Sequence, residues 1–206
     1  MDEGYIKYQL HWQKKNAFPK SCWQELAHYR QFFYRENLIG WDDELGVGFG
    51  NLSLKTRQTD VGFFISGTQT GGLSNLDQRH FCRVERYDIA TNQLWCSGPI
   101  KASSESLTHA AVYEANPHYQ AVVHVHHKGM WEYFFEHLPT TSIHAAYGTP
   151  EMARAIQECV LPGHNPTPQL VIMGGHQDGI LAFGIDMECC KMVLWEQYLV
   201  WKRVRG

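Results

Sequence analysis

The run Ala121-Val122-Val123-His124-Val125-His126-His127 sets the tightest limit on how this chain can fold. Its β-branched apolar residues read as a buried strand, and side chains two apart on a strand leave on the same face. His124 and His126 therefore point one way and His127 the other. Two neutral imidazoles converging on one point are half of a transition-metal site, whereas a hard cation such as Mg²⁺ prefers oxygen ligands. The heptapeptide alone leaves a second reading open, two unrelated polar residues at a strand end.

The 206 residues suffice for one well-buried domain and are short for two, so residues 1–206 are expected to form a single domain. A net charge of −3 argues against a nucleic-acid partner; the basic cluster Lys202-Arg203-Arg205 reads as a solvated helix end favoured by the helix dipole. Met1-Asp2-Glu3-Gly4 starts acidic, with no basic and apolar leader after it, so no signal peptide is expected. No apolar run approaches the length of a membrane span. The cysteines, Cys22, Cys82, Cys96, Cys159, Cys189 and Cys190, contain no C-x-x-C pair. They read as reduced thiols of a cytoplasmic protein, although Cys82 and Cys96 fall on strands that could face each other. Histidine, with twelve copies, is over-used, and it clusters between His109 and His164.

Ser21-Cys22-Trp23-Gln24 has the form of a capping box, and Leu26, Tyr29, Phe33 and Leu38 follow at roughly helical spacing. A first helix is expected over 22–37, stopped by Gly40. Strands are expected at Leu52–Lys55 and Gly62–Ser66, and a hairpin over 81–97 turning at Ala90-Thr91-Asn92. Glu105–Ala115 reads as helix, followed by the histidine strand and a short helix over Met130–His137. Pro150 suits a first helical position and opens a helix through Val160. Leu170–Met173 and Ile180–Phe183 read as apolar strands around a glycine turn, and Asp186 caps a last helix. The expected class is α/β, a single domain with a central sheet flanked by helices.

Three further passages look like site material. Gly50-Asn51 sits in a turn whose glycines let backbone N–H groups approach an anion. Ser66-Gly67-Thr68 ends a strand with hydroxyl and amide donors of the kind that hold phosphate. Ser103-Ser104-Glu105 places two hydroxyls and a carboxylate at the opening of a helix. Each alone is equally a turn or a cap, and Glu105 alone could merely satisfy the helix dipole.

Taken in order, these passages closely resemble the class II aldolase/adducin family, typified by fuculose-phosphate and ribulose-phosphate enzymes. The resemblance runs from about Ser21 to the last helix. It is carried by Gly50-Asn51-Leu52-Ser53, Ser66-Gly67, Ser103-Ser104-Glu105-Ser106-Leu107-Thr108-His109, and the run from Asn116-Pro117-His118 to His126. Gly175-His176-Gln177-Asp178-Gly179 completes the set. The resemblance implies a largely antiparallel sheet and a homotetramer with sites near subunit interfaces. It implies a divalent metal, zinc first, on His124, His126 and His176, with Glu105 as acid/base. It also implies an anionic small-molecule substrate, a sugar phosphate, whose phosphate is held among Asn51, Ser66, Gly67, Ser103 and Ser104. Three neutral imidazoles leave an open coordination position, the pattern of a catalytic zinc, which can polarise a carbonyl and stabilise an enediolate. A nearby carboxylate can move the proton that aldol cleavage requires, and no organic cofactor is needed.

The chain departs from the aldolase pattern in one respect. The segment between His126 and Tyr147-Gly148-Thr149-Pro150 is short, and the loop that supplies the aldolase proton-donating tyrosine is missing; Tyr133 and Tyr147 are the tyrosines in the interval. The chain also stops soon after the last helix, without the tail that closes over the site in some members. Dehydration or epimerisation of a sugar phosphate is therefore the alternative to aldol cleavage, and a non-enzymatic adducin-like scaffold is a third reading. A cupin-like site of His124, His126 and Glu132 is disfavoured, because Lys128–His137 reads as helix. His109 reads as either a support to the metal ligands or a satisfied core histidine, and His127 as packing or interface. His144 and His164 are assigned nothing, and Trp195 and Trp201 are expected to pack the last helix on the core. Lys55, Arg57 and Lys101 are near enough in sequence to assist an anion.

Overall fold

Period-two strands and amphipathic helices resolve into a helix–sheet–helix sandwich in the computed structural model, which describes residues 5–56, 61–161 and 168–205. In chain order the elements are β1 (Gln9–Lys14), α1 (Gln24–Arg35), β2 (Gly40–Asp42), β3 (Val47–Phe49), β4 (Asn51–Leu54) and β5 (Phe63–Ser66). There follow β6 (Phe81–Asp88), β7 (Gln93–Gly98), α2 (Ser106–Ala115), β8 (Ala121–His126) and α3 (Lys128–Phe134). The chain continues with α4 (Pro150–Val160), β9 (Leu170–Ile172), β10 (Gly179–Gly184) and α5 (Met187–Arg205). Eight strands form one sheet in the order β1-β7-β6-β5-β4-β8-β10-β9, and β2 and β3 form a small separate ribbon. All neighbours in the large sheet are antiparallel except the edge pair β1–β7, so the α/β class with a largely antiparallel sheet is what the chain adopts.

Each sheet face carries its own apolar cluster. One joins Val122, Leu181 and Phe183 to α2 and α4; the other joins Val123, Val125, Ile180 and Ala182 to α1, α3 and α5. Strand alternation then fixes the sides of the site: His124 and His126 share the face of Val122, towards α2, while His127 turns away. His127 caps α3 by accepting the Met130 N–H (3.1 Å) and packs its ring 4.5 Å from that of Trp201, which is the packing role expected of it. Trp195 meets Phe32 of α1 at 5.5 Å, so both tryptophans fasten α5 to its neighbours.

Two expectations about α1 are corrected. The capping box at Ser21 does not form: Pro19 starts a tight 3-10 turn over Lys20–Cys22, and the helix begins at Gln24 after Trp23, whose side chain makes no cap. Gly40 does not stop the helix either. The turn is made by Asn37 in the left-handed region (φ 55°), and the Leu38 N–H closes on Phe33 O (2.9 Å); Gly40 already belongs to β2. Other boundaries moved by one to three residues, with α3 at 128–134 rather than 130–137. Thr149 caps α4 ahead of Pro150, and Asp186 Oδ1 accepts the Cys189 N–H (2.8 Å) at the start of α5. All six cysteines are free thiols, and no helix among the described residues is long and apolar enough to cross a membrane. The acidic N-terminal residues 1–4, Arg57, His164 and Gly206 lie outside the described residues.

Candidate active site

His124 and His126 reach the site from β8, and His176 from the turn between β9 and β10. One ligand atom from each can be chosen so that all lie within 4.8 Å of one another. The rings form a compact triangle, with centroids 4.9, 4.9 and 4.7 Å apart. Two nitrogens on a tetrahedral zinc with ~2.1 Å bonds lie ~3.4 Å apart, so a pair as wide as 4.8 Å must close by somewhat more than an ångström when an ion binds. Side-chain rotation supplies that easily.

The turn carrying His176 is held by backbone contact. A Cβ added to Gly174 or Gly175 would collide with the carbonyl oxygens of Thr141 and Ala145, so glycine is what lets this turn lie against the 141–145 segment. Tyr147, from the end of that segment, lays its ring 4.8 Å from the His176 ring at 30°, and Lys7 Nζ lies over the Tyr147 ring, 3.8 Å from its centroid. Tyr133 is elsewhere, stacked on His137 at a surface of α3.

Burial decides the charge state of His124. His124 is buried and is held well below the usual imidazole range, first by loss of solvent and then by His126, His176 and His109. It is therefore neutral at pH 7, the form that can ligate. Its Nε2 has no hydrogen-bond partner, and its Nδ1 lies 3.4 Å from Asn51 Nδ2, while Asn51 Oδ1 is buried without a partner. A half-turn of the Asn51 amide changes no shape and gives its oxygen to an Nδ1–H of His124. That leaves Nε2 for a metal and directs an N–H₂ donor into the adjoining space.

Glu105 sits at the N-cap position of α2, almost fully buried. Its Oε2 accepts Thr108 Oγ1 at 2.6 Å, and its Oε1 lies 3.7 Å from His176 Nδ1. Ser103 supports the bend beneath it: its Oγ accepts the Glu105 N–H (3.3 Å) and its carbonyl accepts Tyr8 Oη–H and Ser106 Oγ–H, both at 2.7 Å. One turn on, His109 is fully buried and pushed down to about 3 by burial. Its Nδ1 pairs with Ser53 Oγ (2.7 Å), which also meets Tyr113 Oη (2.8 Å).

A cavity of about 20 Å³, room for one water, is lined by Asn51, Gly67, Ser103, Ser104, Glu105, His124 and His176. Ser66 stands apart from the other candidates, because strand alternation turns its hydroxyl inward to accept the Leu52 N–H (3.3 Å). His126 is reached instead from a wider cavity of about 280 Å³ beyond Phe49, which also borders Asp42, Lys128 and Asp178. Phe49 stacks on His126 at 5.2 Å and separates the two spaces. Lys55 and Lys101 do not line either cavity; they lie over the rings of Tyr113 and Trp12. Sequence reasoning missed Phe49, Gln69, Thr70 and Gly71, which complete the walls. The glycine pattern around 46–50 and 67–72 was the available signal, since Gly48 and Gly71 pack so closely that a Cβ on Gly48 would meet Gly71 N at 3.0 Å.

These features define a class. Residues 24–197 match the Class II Aldolase and Adducin N-terminal domain, and the chain belongs to that family. No curated protein matches it. Among solved structures, it is similar to YgbL from Escherichia coli, described as a candidate aldolase/epimerase/decarboxylase (TM-score 0.66, 18% identity, covering 90% of this chain and 88% of that one). It is also similar to an L-fuculose-1-phosphate aldolase from Thermus thermophilus (TM-score 0.60, 18% identity, 90% and 96% covered). A sugar-phosphate aldolase from Thermotoga maritima gives a TM-score of 0.63 at 14% identity, with 90% and 95% covered. At these identities the likeness establishes the fold.

Proposed function

We propose that residues 1–206 form one metal-dependent lyase domain acting on a small sugar phosphate or related hydroxycarbonyl compound, with aldol cleavage as the reaction. The observation that carries this reading is the convergence of three imidazoles, two buried and His126 partly exposed, beside the Glu105 carboxylate. Residues His124, His126 and His176 would hold one divalent ion, zinc first; its chemistry there is Lewis-acid polarisation of a carbonyl and the neighbouring hydroxyl. Neutral ligands leave the full charge of the ion available for that task.

The protein's own groups then do the rest. Thr108 holds Oε2 of Glu105, and Oε1, 3.7 Å from His176 Nδ1, would take a proton at the carbon beside the substrate carbonyl and return it. In the cleavage direction Glu105 Oε1 would accept the hydroxyl proton as the C–C bond breaks and its electron pair delocalises onto the carbonyl, and return of that proton to carbon would complete the balance. The α2 start, Asn51, Gly67, Ser103 and Ser104 would orient the phosphate through amide and hydroxyl donors. The space beside them holds only a water as it stands, so a phosphate would need the cavity to widen. The part of the substrate beyond the metal has the wider cavity at Asp42, Lys128 and Asp178 available to it.

Sugar-phosphate dehydration or epimerisation at the same site is the second reading. It is favoured by the missing aldolase tyrosine loop and by Tyr147, whose ring packs 4.8 Å from that of His176. An adducin-like scaffold has no use for three converging imidazoles and a buried carboxylate. The cytoplasm and a homotetramer complete the proposal; the free thiols support the former. The test is metal analysis of protein purified without an affinity tag, followed by a screen of phosphorylated ketoses and aldehydes. Stoichiometric metal with turnover of a phosphoketose supports the lyase, while metal-free protein inactive on every sugar phosphate returns the scaffold.

A further inference from the structure

Arg30 is the largest of the fully buried side chains and has no carboxylate partner among the described residues. It projects from α1, only 2% exposed, and its Nη2 donates to the carbonyls of Thr70 (3.0 Å) and Gly71 (2.6 Å). Its Nη1 is buried and makes no hydrogen bond. The Tyr34 ring lies 4.4 Å away and adds only a cation–π contact. Burial lowers the guanidinium to about 10, which leaves it fully charged at pH 7. An unneutralised buried cation is costly, and a fold that retains one has a missing negative charge nearby.

Thr70 and Gly71 are walls of the small cavity beside His124 and Glu105. In a trans peptide the N–H points opposite to the C=O. With the carbonyls of 70 and 71 turned onto Arg30, the N–H groups of Gly71 and Gly72 point away from the guanidinium. Arg30 thus polarises two consecutive peptide groups so that their donor ends lie on the far side from its own charge. Successive amides arranged in this manner make an anion-binding concavity.

We propose that Arg30 is the positioning residue that makes the Gly67–Gly72 loop a phosphate subsite, supplying its positive charge through the peptide groups of Thr70, Gly71 and Gly72 rather than by direct contact. This rests on the anionic-substrate reading above and adds to it the source of charge, which the site motifs themselves lack. A phosphate monoester is the ligand class, and its negative charge is the counter-ion that Arg30 lacks among the described residues.

The test separates charge from hydrogen bonding. Inorganic phosphate is titrated by calorimetry into the full chain, and melting temperature is followed with and without saturating phosphate, for wild type, Arg30→Gln and Arg30→Lys. Gln keeps a donor for the loop carbonyls without charge; Lys keeps the charge. The expected result is that Arg30→Gln loses about tenfold or more in phosphate affinity and its phosphate-induced thermal shift, while Arg30→Lys retains most of both. Metal affinity, read by Co²⁺ titration, stays at the wild-type value in both variants. Equal losses in the two variants, or wild-type affinity in Arg30→Gln, overturn the inference and leave the anionic reading intact. A wild-type protein that binds no phosphate at all overturns both. If Arg30→Gln does not fold, the ¹⁵N resonance of the Arg30 guanidinium in the wild-type protein decides: it shifts on phosphate saturation, and an unmoved signal with phosphate bound refutes the role.

Discussion

Replacing Glu105 by glutamine is the sharpest perturbation of the proposed chemistry, because the structure isolates one oxygen. The carboxylate uses Oε2 to accept Thr108 Oγ1 at 2.6 Å and presents Oε1 3.7 Å from His176 Nδ1. In Glu105→Gln the amide oxygen can still accept Thr108, and an N–H₂ replaces Oε1 at nearly the same volume. The fold therefore keeps its packing, and the helix start keeps the Ser103 contacts, which run through backbone and hydroxyl groups. What disappears is a base. General acid/base groups contribute about 10²–10⁴-fold, and at ~1.36 kcal/mol per decade the barrier rises by ~2.7–5.5 kcal/mol.

The assay is kcat and KM on the active phosphoketose, with metal content and melting temperature measured on the same preparations. The expected outcome is a fall of at least about a hundredfold in kcat, one metal per chain, and a melting temperature near wild type. Thr108→Val is the companion: it frees Oε2 to swing, and loss of a hydrogen bond to a charged group, worth ~1.5–3 kcal/mol, lowers kcat by roughly tenfold or more without removing the base. Wild-type kcat in Glu105→Gln would remove the carboxylate from the mechanism. Loss of metal from Glu105→Gln would instead make Glu105 a ligand.

Other consequences follow from the same geometry. His176→Ala should abolish stoichiometric metal binding, since the remaining pair on β8 offers only two ligands; full metal content by elemental analysis would refute the triad. Gly175→Ala places a methyl on the Ala145 carbonyl and should cost about 1–3 kcal/mol in urea unfolding, with metal affinity weakened because His176 is carried by that turn. His109, pushed down to about 3 by burial, stays neutral in the folded chain while the unfolded chain takes up a proton below about 6.5. Its stability contribution is therefore complete above pH ~6.5 and is lost as pH falls towards 3, at up to ~1.4 kcal/mol per unit. Urea titrations at pH 7.5 and 5 should show that decline, and His109→Asn should show a shallower one; an unchanged slope would mean other groups control acid stability.

The parts of this molecule written in local periodicity were legible in its sequence, and the parts written in contacts between distant segments were not. Strand alternation puts His124 and His126 on one face whatever they pack against, and Pro150 at the start of α4 and the Asp186 cap of α5 act on their own helices. Strand β1, Gln9–Lys14, escaped because its polar residues carry little alternation and it lies on the sheet edge, paired on one side only with β7. Ser21 misled because Pro19 favours a tight turn ahead of the helix, a competition between two local signals. Ser66 fell on the wrong side of a correctly placed strand end: its hydroxyl serves the neighbouring strand while Gly67 faces the cavity. Arg30 looked like one more polar helix residue. Only the packing of α1 against the loop forty residues later makes it a buried charge behind two carbonyls. Motifs therefore pointed to the three imidazoles that converge, while the buried charge of Arg30 comes from a helix that no site motif includes, and a charge so placed is set by topology.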